Sequence, residues 1–137
     1  MLNSNTQAEN KYLVTDIRPK DGDTYVCNIH LDFDIVLKDQ IIRCSDYDAW
    51  EISNKRKTID YDPNEFVKGQ KAKTDLINYL AKSSVVEITV DSKRLRDTYG
   101  RILAVTYIDG KLLRDYMYSE KDLRSSKYNA KTYTRPD

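Results

Sequence analysis

The stretch that decides the fold is TYVCNIHLDFD, residues 24–34, which directly follows the turn sequence Asp21-Gly22-Asp23. Its apolar side chains stand at every second position from Tyr25 to Phe33, with polar side chains between most of them. This alternation is typical of a strand with one buried face, and Asp-Gly is a strong hairpin signal. The pattern therefore predicts a long half-buried strand that pairs with the segment before the turn.

The remaining patterns predict an α+β fold that is mainly β. The strand-like segments are 11–18, 24–34, 41–44, 85–90 and 101–108. Pro19 is expected to end the first strand, and residues 38–40 are expected to form a turn. Helical spacing predicts a helix over 66–81 between strands 3 and 4, and a short C-terminal helix over 111–118. This order fits a five-stranded OB-fold-like Greek-key barrel better than a parallel α/β sheet, which would need more helices.

The chain of 137 residues is long enough for one domain, which we place at residues 11–137 after a disordered tail of residues 1–10. Residues 1–7 lack the features of a secretory signal, so a cytoplasmic protein is expected unless a signal has been removed. The longest aliphatic run, residues 35–37, is too short to cross a membrane. Cys27 and Cys44 are most simply buried free thiols, although the sequence leaves a disulfide open.

The charges are nearly balanced overall but unevenly distributed. The formal net charge is +1, with −5 over residues 1–65 and +6 over residues 66–137. An acidic site facing a basic surface and plain solvated charge are both compatible with this division. The only histidine is His30, so His-dependent triads and zinc sites lack their residues. Phosphate-binding P-loops and Gly-x-Ser-x-Gly motifs are also missing from the sequence.

Carboxylates and arginines lie close to the ends of the predicted strands. They are Asp21, Asp23, Arg43, Asp48, Glu51 and Arg101. Carboxylate oxygens suit Ca²⁺ or Mg²⁺, and arginine binds phosphate oxygens through two parallel hydrogen bonds. Such a set could stabilise the charge of a five-coordinate phosphorus transition state, with Glu51 accepting a proton from the attacking water. Taken singly, each residue is more often a solvated surface group.

Three motifs in this order resemble those of the staphylococcal nuclease (thermonuclease-like) family. The first is Asp21-Gly22-Asp23-Thr24, and the third is Asp97-Thr98-Tyr99-Gly100-Arg101. In the second, Arg43 is followed five residues later by Asp48 and eight residues later by Glu51. The resemblance covers about residues 11–118. It implies an OB-like barrel and a Ca²⁺-dependent endonuclease that cleaves DNA and RNA with little sequence specificity and leaves 3′-phosphate ends.

The resemblance also implies a role for each matching residue. Asp23, Asp48 and the main-chain carbonyl of Ala49 would be metal ligands, and Arg43 and Arg101 would bind the phosphate. Glu51 would orient or deprotonate the water, Tyr99 would line the nucleotide pocket, and Tyr128 would stack on a base. The expected partner is single-stranded or frayed DNA or RNA, bound by a monomer. Packing in the core or at its rim is the alternative role for Tyr99.

The sequence departs from the family pattern at two positions near these residues. Trp50 stands where the family has proline, so the loop must be stiffened by packing rather than by a fixed φ. Thr98 replaces a lysine that could contact phosphate. Asp46 matches no motif position and is expected to be solvated. The alternative functions are a non-catalytic OB-fold nucleic-acid-binding module and an OB-type domain that binds protein.

Overall fold

The structure, a computed structural model, describes residues 10–50 and 64–124. Six strands run in the order β1 (Tyr12–Asp21), β2 (Thr24–His30), β3 (Val36–Cys44), β4 (Val86–Val90), β5 (Ile102–Ile108) and β6 (Lys111–Leu112). Two helices, α1 (Glu65–Ala81) and α2 (Leu113–Ser119), follow β3 and β6 respectively. The helix predicted over 66–81 is therefore confirmed, and the C-terminal helix begins two residues later than predicted, after the short strand β6.

Strands β1 to β5 close into a barrel. Neighbouring strands pair in the order β3-β2-β1-β4-β5, and β3 then pairs with β5 to complete the circle. The closing pair is the only parallel one among the described strands, with Arg43 opposite Leu103 and Cys44 opposite Ala104. This topology confirms the predicted α+β, mainly β, OB-fold-like barrel.

The core lies inside the barrel and beneath α1. Strand β5 alternates strictly between buried and half-buried residues, as a strand with one inner face must. The buried hydroxyls of Tyr25 and Thr106 share a hydrogen bond of 2.9 Å, which satisfies both groups inside the barrel. Helix α1 covers one end of the core with Ala72 and Leu76, both fully buried. Cys27 and Cys44 are buried free thiols, as predicted.

The C-terminal ends of β1 and β2 differ from the prediction. Strand β1 continues through Pro19 to Asp21, since at this point β1 pairs with β2 alone and the missing N–H removes no bond to β4. Strand β2 ends at His30, so the alternation that predicted a longer strand is misleading. Phe33 lies in the turn that follows, with a φ of 64° and 92% exposure.

The turn predicted at residues 38–40 is instead a bulge within the continuous strand β3. Cys27 lies opposite Gln40 and Ile29 opposite Leu37, so β3 uses one residue more than β2 over this step. Asp39 takes up the difference with a φ of 55°, and its backbone N–H donates to the Asn28 side chain at 2.9 Å. The backbone group that the bulge withdraws from the ladder therefore still has a partner.

Neither described helix is long and apolar enough to cross a membrane. The predicted disordered tail lies outside the described residues except for Asn10. The single domain over residues 11–137 stays a prediction, because residues 51–63 and 125–137 are not among the described ones.

Gly22 lies where the β1–β2 turn meets both helices. A Cβ atom at this position would stand 2.7 Å from the Cβ of Ala72 and 3.0 Å from the Cβ of Ala49. It would also lie 3.3 Å from the terminal methyl of Met117. Distances this short are well inside van der Waals contact, so glycine is required here for the close approach of neighbouring elements.

We expect Gly22→Ala to destabilise the protein by about 1–3 kcal/mol, because the added methyl group overpacks the junction between the turn and α1. Urea denaturation followed by circular dichroism measures the change. Introducing Ala72→Gly into this variant removes the closest contact, so the cost of the added methyl group should be smaller than in the chain that keeps Ala72. An unchanged free energy of unfolding in Gly22→Ala would show that the junction is loosely packed.

Candidate functional site

The turn between β1 and β2 holds Asp23 in a buried position. Its side chain is 4% exposed. One carboxylate oxygen accepts the hydroxyl of Thr24 at 3.0 Å, and the other accepts the backbone N–H of Ala49 at 2.8 Å. The backbone carbonyl of Asp23 accepts the N–H of Cys44 at 2.9 Å. The turn is thereby fixed against both the end of β3 and the loop that follows it.

Arg43 places its guanidinium between Asp23 and Asp48. Its Nη1 lies 3.0 Å from Oδ2 of Asp23, and its Nη2 lies 3.0 Å from Oδ1 of Asp48. Nη1 also donates to the backbone carbonyls of Cys44 and Tyr47, at 2.9 and 3.1 Å. The three side chains, which we call the Arg43 triad, bring together the first two motifs that the sequence predicted.

Burial and the positive charge of Arg43 shift the pKa of Asp23 in opposite directions. Burial raises the pKa of its carboxyl group to about 6, although Arg43 and the N–H of Ala49 both favour the charged form. Asp48 adds a second negative charge, which raises the pKa of Asp23 further. The charged form of Asp23 therefore depends on the neighbouring guanidinium of Arg43.

The loop that carries Asp48 is fastened by the segment after α2. Arg124 donates its backbone N–H to the carbonyl of Asp48 at 2.7 Å, and Trp50 donates to the carbonyl of Asp122 at 3.3 Å. Between these two bonds Ala49 lies opposite Leu123 in an antiparallel bridge. These backbone bonds hold the loop at Trp50 in place.

Trp50 adds a second contact between the loop and its surroundings. The ammonium group of Lys68 lies 4.4 Å from the centre of the indole ring, and the guanidinium of Arg124 lies 5.9 Å from it. Both distances suit cation–π interactions. The Arg124 guanidinium also lies 3.8 Å from the Asp48 carboxylate. Sequence reasoning missed Arg124 and Lys68, because neither belongs to a motif and their partners are distant in the chain.

Arg101 is positioned by the short loop that precedes β5. Its Nε lies 2.7 Å from Oδ2 of Asp97, whose Oδ1 accepts the backbone N–H groups of Tyr99 and Arg101 at 2.9 Å each. Gly100 has a φ of 84°, which favours glycine at this turn. Partial burial raises the pKa of Asp97, but these N–H groups and the guanidinium of Arg101 outweigh it, so the pKa is lowered overall. Asp97 therefore remains charged and holds Arg101 in place.

A cavity of about 440 Å³ joins the second and third motifs. Arg43 and Arg101 both line it, together with Arg94 from the loop after β4. Its apolar wall comes from Val90, Leu103, Val105 and Tyr107. The two arginines that the sequence assigned to one phosphate therefore face the same space, beside an apolar wall.

Tyr99, the described residue predicted to line the nucleotide pocket, does not line this cavity. Tyr99 is 83% exposed, with its ring 5.5 Å from the Arg101 guanidinium, so packing in the core is excluded for it. Glu51 and Tyr128 lie outside the described residues. Their predicted roles at the water and at the base stay predictions.

All three predicted metal ligands, Asp23, Asp48 and Ala49, lie within the described residues. Residues 10–50 and 64–124 contain no group of three or more His, Cys, Asp or Glu side chains placed to hold a metal ion. The carboxylates of Asp23 and Asp48 both contact the guanidinium of Arg43, and Glu51, the third acid of the two motifs, is not among the described residues.

The prediction that Asp46 is solvated is wrong. Its side chain is buried, with 7% relative exposure, and neither carboxylate oxygen meets an N–H or O–H of another residue in the described ranges. Burial raises the pKa of Asp46 to about 6, although its own backbone N–H and the guanidinium of Arg114 oppose the rise. A motif search passes over such a residue, because its burial depends on the tertiary structure.

The fold and the geometry define the class of protein, an OB-fold-like barrel with a cavity lined by arginines. Beyond this class, no known family matches the sequence and no curated protein matches it. The resemblance to the staphylococcal nuclease family therefore depends on the three motifs alone.

We expect Asp46→Asn to stabilise the protein at about pH 8 by up to about 3 kcal/mol, with little change near pH 4. Because the carboxyl pKa is about 6 in the folded chain against 3.8 ordinarily, the folded state binds the proton more tightly. Ionising Asp46 therefore costs stability as the pH rises from about 4 to 6, and the amide removes that cost. Urea denaturation at both pH values measures the difference.

The matched control is Asp32→Asn, which changes an exposed carboxylate in the turn after β2. Its effect on stability should be small and the same at both pH values. Equal effects of the two substitutions at pH 8 would contradict the inferred cost of burying Asp46.

Proposed function

We propose that this protein is a Ca²⁺-dependent endonuclease that hydrolyses phosphodiester bonds of DNA and RNA with little sequence specificity and leaves 3′-phosphate ends. The observation that carries the proposal is the position of Arg43. Its guanidinium is bound by Asp23 and Asp48, and it lines the same cavity as Arg101. Acids for a metal and arginines for a phosphate thus adjoin at one place.

The donor atoms fit a hard divalent cation. Two carboxylates already converge on one positive group, so this point of the fold favours a cation. Asp23, Asp48 and the carbonyl of Ala49 would hold Ca²⁺, whose ligands in proteins are oxygens of these kinds. When bound, Ca²⁺ would supply positive charge against the phosphate and a site for water.

Three of the chain's own residues would then act on the substrate. Arg101, oriented by Asp97, would donate to phosphate oxygens, and Arg43 would do the same after releasing its carboxylates. Both remain protonated throughout, so they stabilise the additional negative charge of the transition state. Glu51 is the predicted group that orients the attacking water and accepts its proton.

A non-catalytic nucleic-acid-binding module is the second candidate. The observation in its favour is that Arg43 and Arg101 both carry carboxylate partners, so the cavity resembles a charge-balanced binding surface as much as an active site. Binding that weakens with salt, without cleavage in any divalent metal, would support this function over the first.

The test of the proposed function is incubation of the purified protein with single-stranded DNA and, separately, RNA in Ca²⁺, with and without a chelator. We expect cleavage in Ca²⁺, none with the chelator, and products that a phosphatase specific for 3′ ends converts to 3′-hydroxyls. A wild-type protein that binds the DNA and leaves it uncut would point to the binding module.

We expect Arg101→Ala and Glu51→Gln each to lower kcat by at least about a hundredfold, since each removes a group predicted to act in the transition state. Circular dichroism should show an unchanged fold. Lys38→Ala is the control, because Lys38 is exposed on β3 and does not line the cavity. Near-normal turnover by either variant would remove that residue from the mechanism.

We expect Arg43→Gln to bind Ca²⁺ at least about fivefold more tightly than wild type when nucleic acid is absent, because the guanidinium and the ion compete for Asp23 and Asp48. Isothermal titration calorimetry measures the affinity. Lys38→Gln again serves as the control, since it removes one positive charge elsewhere on the surface. Weaker binding by Arg43→Gln would contradict competition for these carboxylates.

A further inference from the structure

The three arginines of the cavity differ in their ion pairs. Arg43 is bound by Asp23 and Asp48, and Arg101 by Asp97. Arg94 has no ion-pair partner among residues 10–50 and 64–124. An anion that enters can therefore bind Arg94 without displacing a carboxylate of these residues, whereas it must compete with one at the other two arginines.

The backbone of Arg94 is fixed at the edge of the cavity. It ends the 3₁₀ turn Ser92–Arg94, where its N–H donates to the carbonyl of Asp91 at 2.9 Å. The next residue accepts a bond from Leu103 of β5, Leu103 N to Leu95 O, at 2.9 Å. This anchoring holds Arg94 on the same side of the barrel as Arg101, which directly precedes β5.

Two of the described acids line the cavity, and Arg94 is the group there that most attracts an anion. Asp97 is bound to Arg101, and Asp91 accepts the backbone N–H of Lys93 at 2.9 Å. Both carboxylates line the cavity and repel a phosphate that approaches them. Since carboxylates neutralise the charges of Arg43 and Arg101, Arg94 is the arginine best able to attract a negative group.

The size and walls of the cavity indicate more than one chemical group in the ligand. Its volume of about 440 Å³ exceeds what one phosphate fills and falls in the range of pockets for small organic ligands. The apolar wall formed by Val90, Leu103 and Val105 suits a sugar or base. With three arginines beside this wall, the chemistry matches a chain of nucleotides.

We propose that Arg94 binds a second phosphate of single-stranded nucleic acid, next to the phosphate assigned to Arg43 and Arg101. The protein then recognises an oligonucleotide rather than a mononucleotide. This inference rests on the proposed function for the location of the first phosphate. It adds a binding residue that belongs to none of the three motifs.

The experiment compares wild type, Arg94→Gln and Lys93→Gln in binding a fluorescent single-stranded oligothymidylate, by anisotropy in chelator. Salt is varied between about 50 and 200 mM NaCl. We expect Arg94→Gln to weaken binding about tenfold at the low-salt end. Its slope of log affinity against log salt should fall by about 0.7, the value for one phosphate of a single strand. Lys93→Gln removes an adjacent charge that does not line the cavity, and should change affinity by less than about twofold.

Two further measurements distinguish a specific contact between Arg94 and a phosphate from a general effect of its positive charge. Thymidine 3′-monophosphate offers one phosphate, which Ca²⁺ beside Asp23 and Asp48 would direct to Arg43 and Arg101, so its affinity, measured in Ca²⁺ by isothermal titration calorimetry, should be the same for wild type and Arg94→Gln. Arg94→Lys should recover part of the oligonucleotide affinity. Thermal melting followed by circular dichroism checks that each variant is folded, which is expected because Arg94 is exposed.

The inference is overturned if Arg94→Gln keeps the wild-type affinity and salt slope, or if Lys93→Gln loses as much as Arg94→Gln. An equal loss for the monophosphate also overturns it, as does a wild-type protein that does not bind the oligonucleotide. If the expected binding results are obtained but wild type cleaves nothing in Ca²⁺, the role of Arg94 stands and the endonuclease proposal fails. If wild type cleaves nucleic acid in Ca²⁺ but Arg94→Gln binds the oligonucleotide as wild type does, the endonuclease proposal stands and the role of Arg94 fails.

Discussion

The ion pairs of Arg43 hold together the parts of the chain that form the site. They join strand β3 to the β1–β2 turn through Asp23 and to the loop after β3 through Asp48. Since Asp23 is almost fully buried, loss of the guanidinium would leave a buried charge without compensation, a situation that costs about 3–5 kcal/mol in proteins. The register of β3 against β5 sets the position of Arg43, so closure of the barrel and geometry of the site are linked.

The surroundings of the triad explain how an acidic loop keeps one conformation. The hydroxyl of Tyr47 donates to the buried carbonyl of Gly22 at 2.7 Å, and the N–H of Ala49 donates to Asp23. On its other side the loop pairs with residues 122–124. Because the loop has hydrogen-bond partners on both sides, the position of Asp48 depends on packing of the whole junction rather than on one rigid residue.

The ion pairs between arginines and carboxylates also determine which ligands the cavity would bind. Every arginine lining it other than Arg94 has a carboxylate within ion-pairing distance among the described residues. An anionic ligand must therefore exchange partners with these carboxylates, and it does so most readily when another cation takes its place beside the acids. This exchange would couple the binding of a metal to the binding of a phosphate, as the proposed function requires.

The sequence by itself determined the elements whose signals are local. The alternation in β2, the helical spacing over α1 and the Asp-Gly turn predicted a mainly β, OB-fold-like barrel, because such patterns depend on neighbours a few residues apart. The motif spacing also selected Arg43, Asp48 and Arg101. Only the tertiary structure decided that Asp46 is buried and that Arg94 lines the cavity. Burial and ion pairing depend on residues that are distant in the chain, so a local sequence pattern cannot predict them.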